Sequence, residues 1–240
     1  MTTLMELKKS CRSVVGPDLG NPSEYRQLVG SLMFLVNSHP DICFAVNTLS
    51  QFMVKPHHIH WIAAKNLLRY LWGTITYGQR YIVRNVRLYV YSDADWAGNV
   101  VDHKSTSGCF FSLGSALISW MIRKQKSVAL STAEAKYIVT SMASRESVWL
   151  RKLFSELFEH VLDTTVIYCA NQSGIRLSKN LVFHHCSKNI DIKYHFIWDM
   201  VQRGAIRLHH IGTDDQVADI LTNPLGKVKF LTFRKQLGVV

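Results

Sequence analysis

The stretch from Thr164 to Gly174, TTVIYCANQSG, indicates the fold class of this chain. Its first part, TTVIYC, is rich in β-branched and aromatic residues, a composition typical of a strand. Its second part, ANQSG, is small and polar, as expected where a strand turns towards a helix. In α/β proteins, ligands and chemistry gather at the carboxyl ends of strands. Ala170 stands at such an end, and because its methyl group can do no chemistry, the position raises the question of what it lacks.

Further strands and helices are predicted on either side of this stretch. Ser131-Thr132-Ala133-Glu134 is a capping box that opens a long helix to about residue 160. β-Branched runs and amphipathic runs predict the remaining elements. The additional strands are 86–92, 107–113, 116–121 and 205–211, and the additional helices are 190–202 and 215–221. We therefore predict an α/β protein with a mixed five-stranded sheet and flanking helices.

The sequence before the sheet reads as helical. Asn21-Pro22-Ser23-Glu24 predicts a helix start, with Asn21 as N-cap and Pro22 at the first helical position. Helices are predicted from there to about residue 38, over 41–53 and over 58–72. The predicted organisation is an irregular tail (1–20), a helical segment (21–80), a sheet domain (81–226) and a C-terminal tail (227–240).

The chain is strongly basic. It has 28 Lys and Arg against 17 Asp and Glu, a net charge of +11, and such an excess favours a polyanionic partner, nucleic acid before an anionic membrane. Arg123, Lys124 and Lys126 form a basic run that is either a set of phosphate contacts or a solvated loop. The apolar run 28–36 is too short to span a bilayer, and no membrane partner is expected.

Cysteine usage and the start of the chain bear on its compartment. The five cysteines form no C-x-x-C pair, which speaks against a disulfide framework and against a cysteine zinc site. The N-terminal residues lack a secretory signal pattern. We therefore expect an intracellular protein, in the cytoplasm or the nucleus, that is not secreted.

Acidic residues are scarce, so their positions are informative. Asp93 and Asp95 follow the strand 86–92, Glu134 lies in the first turn of the long helix, and Asp219 lies in the last short helix. If the first strand is central, Asp93, Glu134 and Asp219 can meet at one edge of the sheet. Clustered carboxylates repel and need a cation, and hard oxygen ligands suit Mg²⁺ or Mn²⁺. With a phosphate substrate, the implied reaction is two-metal phosphodiester hydrolysis.

Each of these carboxylates also has a purely structural explanation, and the spacing alone leaves both open. Glu134 completes the capping box. Asp93 and Asp95 are turn formers before Gly98. Asp219 stabilises the N-terminus of its own helix.

Motifs in a fixed order carry a resemblance to a known family. They are YSDADWAG (91–98), KSTSG (104–108), ISW (118–120), LSTAEAKY (130–137), IYCANQSG (167–174), DIKYHFI (191–197) and VADILTNPL (217–225). In this order they resemble the ribonuclease H domain of copia-type retrotransposon Pol polyproteins. The upstream motifs resemble the segment that connects reverse transcriptase to that domain. They are LVGSLMFLV (28–36), PDICFAV (40–46), LSQFM (49–53) and HWIAAKNLLRYL (60–71).

The resemblance implies a ribonuclease H fold and hydrolysis of RNA in RNA–DNA hybrids with two Mg²⁺ ions. It implies that the catalytic and metal-binding carboxylates are Asp93, Glu134 and Asp219. It also implies a fourth aspartate, in a Y-C-D-N-Q motif, at the position that Ala170 occupies here. The group missing after the fourth strand is therefore a metal-ligating carboxylate. We expect Mg²⁺ or Mn²⁺ to bind weakly if at all, and hydrolysis to be impaired.

The chain departs from the family pattern at positions that are not metal ligands there: Lys136 replaces a usual glutamate, Asn189 a histidine and Asn223 a lysine. Three functions stay open: an impaired ribonuclease H, an inactive nucleic-acid-binding remnant, and a zinc-bound structural protein built on the histidine tracts at 57–60 and 184–186. No Y-x-D-D hairpin occurs in the sequence, so no reverse transcriptase activity is expected of this chain.

Overall fold

The structure, a computed structural model, describes residues 17–82, 86–99, 102–172, 175–176 and 188–240. The chain divides into two compact units. The helical unit comprises the chain up to Arg80 together with Asn223–Val240, and the sheet unit comprises Tyr81–Thr222. Within the described ranges, no helix is both long enough and apolar enough to cross a membrane.

The helices are α1 (Pro22–Leu35), α2 (Cys43–Ser50), α3 (His58–Trp72), α4 (Thr132–Phe158), α5 (Lys188–Gln202), α6 (Asp219–Thr222) and α7 (Lys227–Gln236). The strands are β1 (Leu88–Asp95), β2 (Thr106–Leu113), β3 (Ala116–Lys124), β4 (Thr165–Cys169) and β5 (Ile206–His210). A 3₁₀ turn, Pro40–Ile42, precedes α2.

The three helices predicted before the sheet are confirmed. The Asn21 side chain accepts a hydrogen bond from the Ser23 backbone N–H at 3.1 Å, and Pro22 opens α1. Apolar side chains of α1, α2 and α3 form the core of the helical unit. Its fully buried members are Tyr25, Val29, Leu32, Ile42, Ala45, Val46, Leu49, Ala63, Ala64 and Leu67.

The first histidine tract has a structural role in the helical unit. The Nδ1 of His60 accepts a hydrogen bond from the His57 backbone N–H at 2.9 Å, which caps the start of α3. The His60 ring stacks on Phe52 with 3.9 Å between ring centroids, and the Nδ1 of His57 lies 3.1 Å from a carboxylate oxygen of Asp18. Among the described residues, no His, Cys, Asp and Glu group that could hold a metal is found. The second tract, 184–186, lies outside the described residues.

The C-terminal tail predicted for 227–240 is a helix instead. In α7, the Arg234 guanidinium donates to the Tyr70 hydroxyl at 3.2 Å, and that hydroxyl donates in turn to Asp41. Burial and the Asp41 carboxylate raise the pKa of Tyr70, although Arg234 opposes them. Backbone hydrogen bonds of 2.8–3.1 Å then join 238–240 to 78–80. Because α7 is rich in Lys and Arg and has few apolar residues, its buried face gives only a weak pattern in the sequence.

The predicted mixed five-stranded sheet with flanking helices is confirmed. Its strand order is β3-β2-β1-β4-β5. β1 pairs antiparallel with β2, and β2 with β3, since short loops join these strands. β1 pairs parallel with β4, and β4 with β5. Parallel neighbours need crossover connections, and α4 and α5 lie in the connections before β4 and β5. β1 is therefore central, as the sequence analysis required for its carboxylates.

The core of the sheet unit lies between the sheet and the helices α4 and α5. Alternate strand residues point into it, including Val90, Phe111 and Ile167, which are fully buried. The helices contribute Tyr137, Ala143 and Leu150 from α4 and Ile197 from α5. The intervening strand residues, among them Tyr91 and Asp93, therefore point to the opposite face of the sheet. That face carries the candidate site.

Candidate active site

Asp93 is the centre of the candidate site. It lies near the carboxyl end of the central strand β1 and is only 4% exposed. Its Oδ2 accepts a hydrogen bond from the Thr222 hydroxyl at 2.7 Å, and its Oδ1 lies 3.8 Å from the Lys136 ammonium. A buried carboxylate needs such partners, because leaving its charge uncompensated away from water costs several kcal/mol. Both oxygens of Asp93 are thus occupied by side chains of the chain itself.

The short helix α6 brings Asp219 and Thr222 to this face of the sheet. Gln216, which is buried, holds the segment before α6 in place: its side-chain amide donates to the Ser92 carbonyl at 3.1 Å, and its side-chain oxygen accepts from the Ala218 backbone N–H at 3.3 Å. Asp219 is 7% exposed and stands in the first turn of α6. The structure therefore places Asp219 on the same short element as the residue that contacts Asp93.

Gly108 makes this arrangement possible. It lies on β2 directly opposite Asp93 in the antiparallel register. A Cβ at Gly108 would stand 2.7 Å from Thr222 Cγ2 and 2.8 Å from Leu221 Cβ, closer than unbonded carbons approach. α6 packs against the sheet only because no side chain projects there. This explains physically why the motif KSTSG ends in glycine.

Replacing Gly108 with alanine should displace α6 and lengthen the hydrogen bond between Thr222 and Asp93. Overpacking of this kind costs about 1–3 kcal/mol, which chemical denaturation of the variant would measure. The matched control is Gly30→Ala in α1, where a Cβ meets nothing within 4 Å. Alanine there should stabilise the helix by about 0.5–1 kcal/mol. Equal stability of the two variants would show that α6 does not rest on Gly108.

Ala170 directly follows β4, the strand that pairs in parallel with β1. The last parallel pair between β1 and β4 is Ser92 with Cys169, so continuing the register by one residue sets Ala170 next to Asp93 on the same face. The side-chain amide of Asn171 donates to the Ala133 carbonyl at 3.0 Å and ties this strand end to the start of α4. The alanine at position 170 offers neither charge nor an oxygen at this strand end.

Glu134 has the structural role that the sequence analysis left open. The Ser131 hydroxyl accepts from the Glu134 backbone N–H at 3.1 Å, and the Glu134 carboxylate accepts from the Leu130 backbone N–H at 2.8 Å. The predicted capping of α4 is confirmed. The carboxylate is directed back to the turn before α4, where it satisfies a backbone donor.

Among the residues that the structure describes, no three or more His, Cys, Asp and Glu side chains lie close enough together to hold a metal ion. Asp93 is engaged by Lys136 and Thr222, and Glu134 by a backbone N–H. The chain's own groups thus contact two of the three predicted metal ligands.

Comparison with known proteins bears on the family of the chain. No protein-family model matches it. The retrovirus-related Pol polyprotein from transposon RE2 of Arabidopsis thaliana is 45% identical over 226 residues, which cover 94% of this chain and 16% of that protein. The Pol polyprotein from transposon RE1 of the same plant is 44% identical over 240 residues, which cover 100% of this chain and 16% of that protein. The chain belongs to the copia-type retrotransposon Pol family.

This member of the Pol family spans 16% of the length of either relative. Among solved structures, a foamy viral protease-reverse transcriptase in complex with dsDNA is 11% identical, with a TM-score of 0.47, and the match covers 87% of this chain and 41% of that one. LC11-RNase H1 in complex with an RNA/DNA hybrid is 12% identical, with a TM-score of 0.43. The match covers 57% of this chain and 94% of that one. The sheet unit has the mixed five-stranded sheet with flanking helices that the resemblance to a ribonuclease H fold implied.

The contact between Lys136 and Asp93 was not predicted from the sequence, where Lys136 was only a departure from the family pattern. Its side chain, 26% exposed, reaches from α4 to Asp93. Burial raises the pKa of the neighbouring Cys169 thiol, while hydrogen bonds and the positive charge of Lys136 oppose that rise. One sequence feature could have predicted this contact: Lys136 is a cation near the start of α4, the helix whose first turn was expected to lie near Asp93.

The basic run predicted to contact nucleic acid ends the edge strand β3. Arg123 and Lys126 are exposed to solvent. Lys124 instead lies 2.7 Å from Asp102. Desolvation favours the neutral form of Asp102, but the hydrogen bonds and charges of Lys124 and Lys104 together outweigh it and lower the pKa of that carboxyl. Arg123 and Lys126 therefore present their charge to solvent, whereas the charge of Lys124 is compensated within the chain.

Proposed function

We propose that this chain is a ribonuclease H-like domain of a retrotransposon Pol protein that binds nucleic acid and has lost most or all of the hydrolysis of RNA in RNA–DNA hybrids. The observation that carries the proposal is the alanine at position 170, directly after β4, where the family pattern has an aspartate. The family activity, with Asp93, Glu134 and Asp219 holding Mg²⁺ or Mn²⁺, requires ligands for two ions about 3.5–4 Å apart.

The contacts at the site favour the inactive alternative over a weak enzyme. Loss of a partner that only orients a metal ligand reduces metal affinity or activity about 10–100-fold, and loss of a ligand itself costs more. Here one ligand is replaced by a methyl group, Asp93 faces an ammonium, and Glu134 caps its helix. The function that these residues still support is therefore binding of nucleic acid without hydrolysis.

The charge of the chain supports nucleic acid as the partner. A net charge of +11 attracts a polyanion without regard to its sequence. Arg123 and Lys126, exposed at the end of β3, are the proposed phosphate contacts, and we include Lys124 as a weaker one because Asp102 already neutralises it. An RNA–DNA hybrid is the proposed ligand, and other nucleic acids should bind through the same contacts.

Binding of a labelled RNA–DNA hybrid at rising salt concentration tests this proposal. Affinity should fall steeply with salt, and each lost phosphate contact should lower the slope of log affinity against log salt by about one. Arg123→Ala with Lys126→Ala should therefore reduce the slope by about two. The control, Lys152→Ala with Arg203→Ala, removes the same charge from two exposed intrahelical ion pairs and should change the slope less.

Two outcomes would contradict the proposal. Affinity that does not respond to salt would exclude binding through phosphates. Rapid cleavage of the hybrid by the natural chain in Mg²⁺ or Mn²⁺, followed on a gel in the same samples, would show that the domain is an active ribonuclease despite Ala170.

A further inference from the structure

The ion pair between Lys136 and Asp93 stands where a metal-binding site would need a free carboxylate. The Asp93 side chain is 6% exposed and that of Lys136 is 26% exposed, so water screens the pair far less than a surface pair. The exposed pair Lys152–Glu156 on the same helix has a similar separation, 3.7 Å, but its side chains are 75% and 63% exposed. The chain thus offers an internal comparison between a buried and an exposed lysine ion pair.

The position of Lys136 in α4 does not itself stabilise a positive charge. It lies in the second turn of the helix, and the positive end of the helix macrodipole does not favour a cation there. Its ammonium is instead compensated by Asp93, and the carboxylate is compensated by that ammonium and by the Thr222 hydroxyl. The two groups therefore depend on each other, because either one left alone in this setting would be an uncompensated charge.

We propose that Lys136 is a built-in cation that neutralises Asp93, so that the strand-end site is stable without a divalent metal and resists binding one. A divalent cation that approached Asp93 would meet a like charge 3.8 Å from the oxygen it needs. It would have to displace that ammonium and would gain no oxygen from Ala170. The inference concerns the response of the fold to metal and does not depend on whether the domain binds nucleic acid.

Thermal unfolding of the full chain in EDTA and in millimolar MgCl₂ or MnCl₂ tests the inference. The Tm of the natural chain should be the same in all three. Lys136→Gln should lower Tm by several degrees in EDTA, because Asp93 loses its counter-ion, and divalent metal should recover part of the loss. The matched control Lys152→Gln should leave Tm nearly unchanged in every condition, since exposed ion pairs contribute little.

Lys136→Arg keeps the charge and provides a second variant in case Lys136→Gln does not fold. It should unfold near the temperature of the natural chain and remain insensitive to metal. The inference is overturned if Mg²⁺ or Mn²⁺ raises the Tm of the natural chain or of Lys136→Arg, or if Lys136→Gln unfolds like the natural chain in EDTA. Failure of hybrid binding alongside metal insensitivity would remove the proposed function and leave this inference standing.

Discussion

The double variant Ala170→Asp/Lys136→Gln is expected to cleave RNA–DNA hybrids in the presence of Mg²⁺ or Mn²⁺ at least about 100-fold faster than the natural chain. The first substitution returns an oxygen ligand to the position next to Asp93 in the sheet register. The second removes the ammonium that lies 3.8 Å from Asp93. The rate of cleavage should rise less in each single variant. Ala170→Asp alone leaves the Lys136 ammonium in place, and Lys136→Gln alone leaves the oxygen ligand at position 170 missing.

The control for this gain is Asp93→Asn in the same double variant. It keeps the shape of the side chain, but it removes the central carboxylate and should return cleavage to the level of the natural chain. Cleavage is measured on a labelled hybrid with an EDTA arm, so that a contaminating metal-independent nuclease is recognised. If the natural chain already cleaves well and the double variant does no better, Ala170 is not at the reacting centre and the residue assignment is wrong.

The stability of the double variant follows from the same charges. The carboxylate introduced by Ala170→Asp would stand beside Asp93 at the open edge of the sheet, where solvent can reach one of the two. Without metal the two carboxylates repel, and with Lys136→Gln no ammonium compensates either of them. We therefore expect the double variant to be the form of this protein whose Tm rises most on addition of Mg²⁺.

The elements that position the site were predictable from local sequence. The strand and turn of TTVIYCANQSG, the strand before Asp93 and the capping box Ser131–Glu134 each carry their own signal within a few residues. The sequence left open whether β1 is central, and the strand order of the structure places it third of five. The alternation of strand residues and the periodicity of helices depend only on residues within a few positions of one another. Such features can therefore be predicted from the sequence.

The contacts within the site were not predictable in the same way. Thr222 is 129 positions from Asp93, and nothing in the local sequence says that its hydroxyl donates to that carboxylate. Glu134 had two explanations, capping and metal binding, and the structure confirms the capping. The Lys136 contact depends on how α4 packs on β1, a tertiary arrangement that spacing alone does not determine. The metal-binding roles of Asp93, Glu134 and Asp219 remain a proposal.

The C-terminal helix α7 was not predicted because its local sequence pattern is weak. Half of its ten residues, KVKFLTFRKQ, are charged or amide side chains, and the helix lacks the side-chain cap that identified α1 and α4 in the sequence. The buried residues of α7 are Phe233 and Arg234, which are 2% and 6% exposed, and Leu237, directly after the helix, is 2% exposed. A polar helix with two buried positions resembles a tail in the sequence, and only tertiary packing shows the difference.

Phe233→Ala is expected to destabilise the protein by about 3–5 kcal/mol, because it removes a large buried aromatic side chain and leaves a cavity. The same helix supplies the matched control: Val228 is 81% exposed, and Val228→Ala should change the free energy of unfolding by no more than about 0.5 kcal/mol. Denaturant unfolding measures both variants. Hydrogen exchange should show faster exchange in α7 and, because the hydrogen bonds among Arg234, Tyr70 and Asp41 join α7 to the helical unit, in α3 as well. If Phe233→Ala is as mild as Val228→Ala, then residues 227–240 behave as the tail that the sequence predicted, and the buried contacts of α7 contribute nothing to stability.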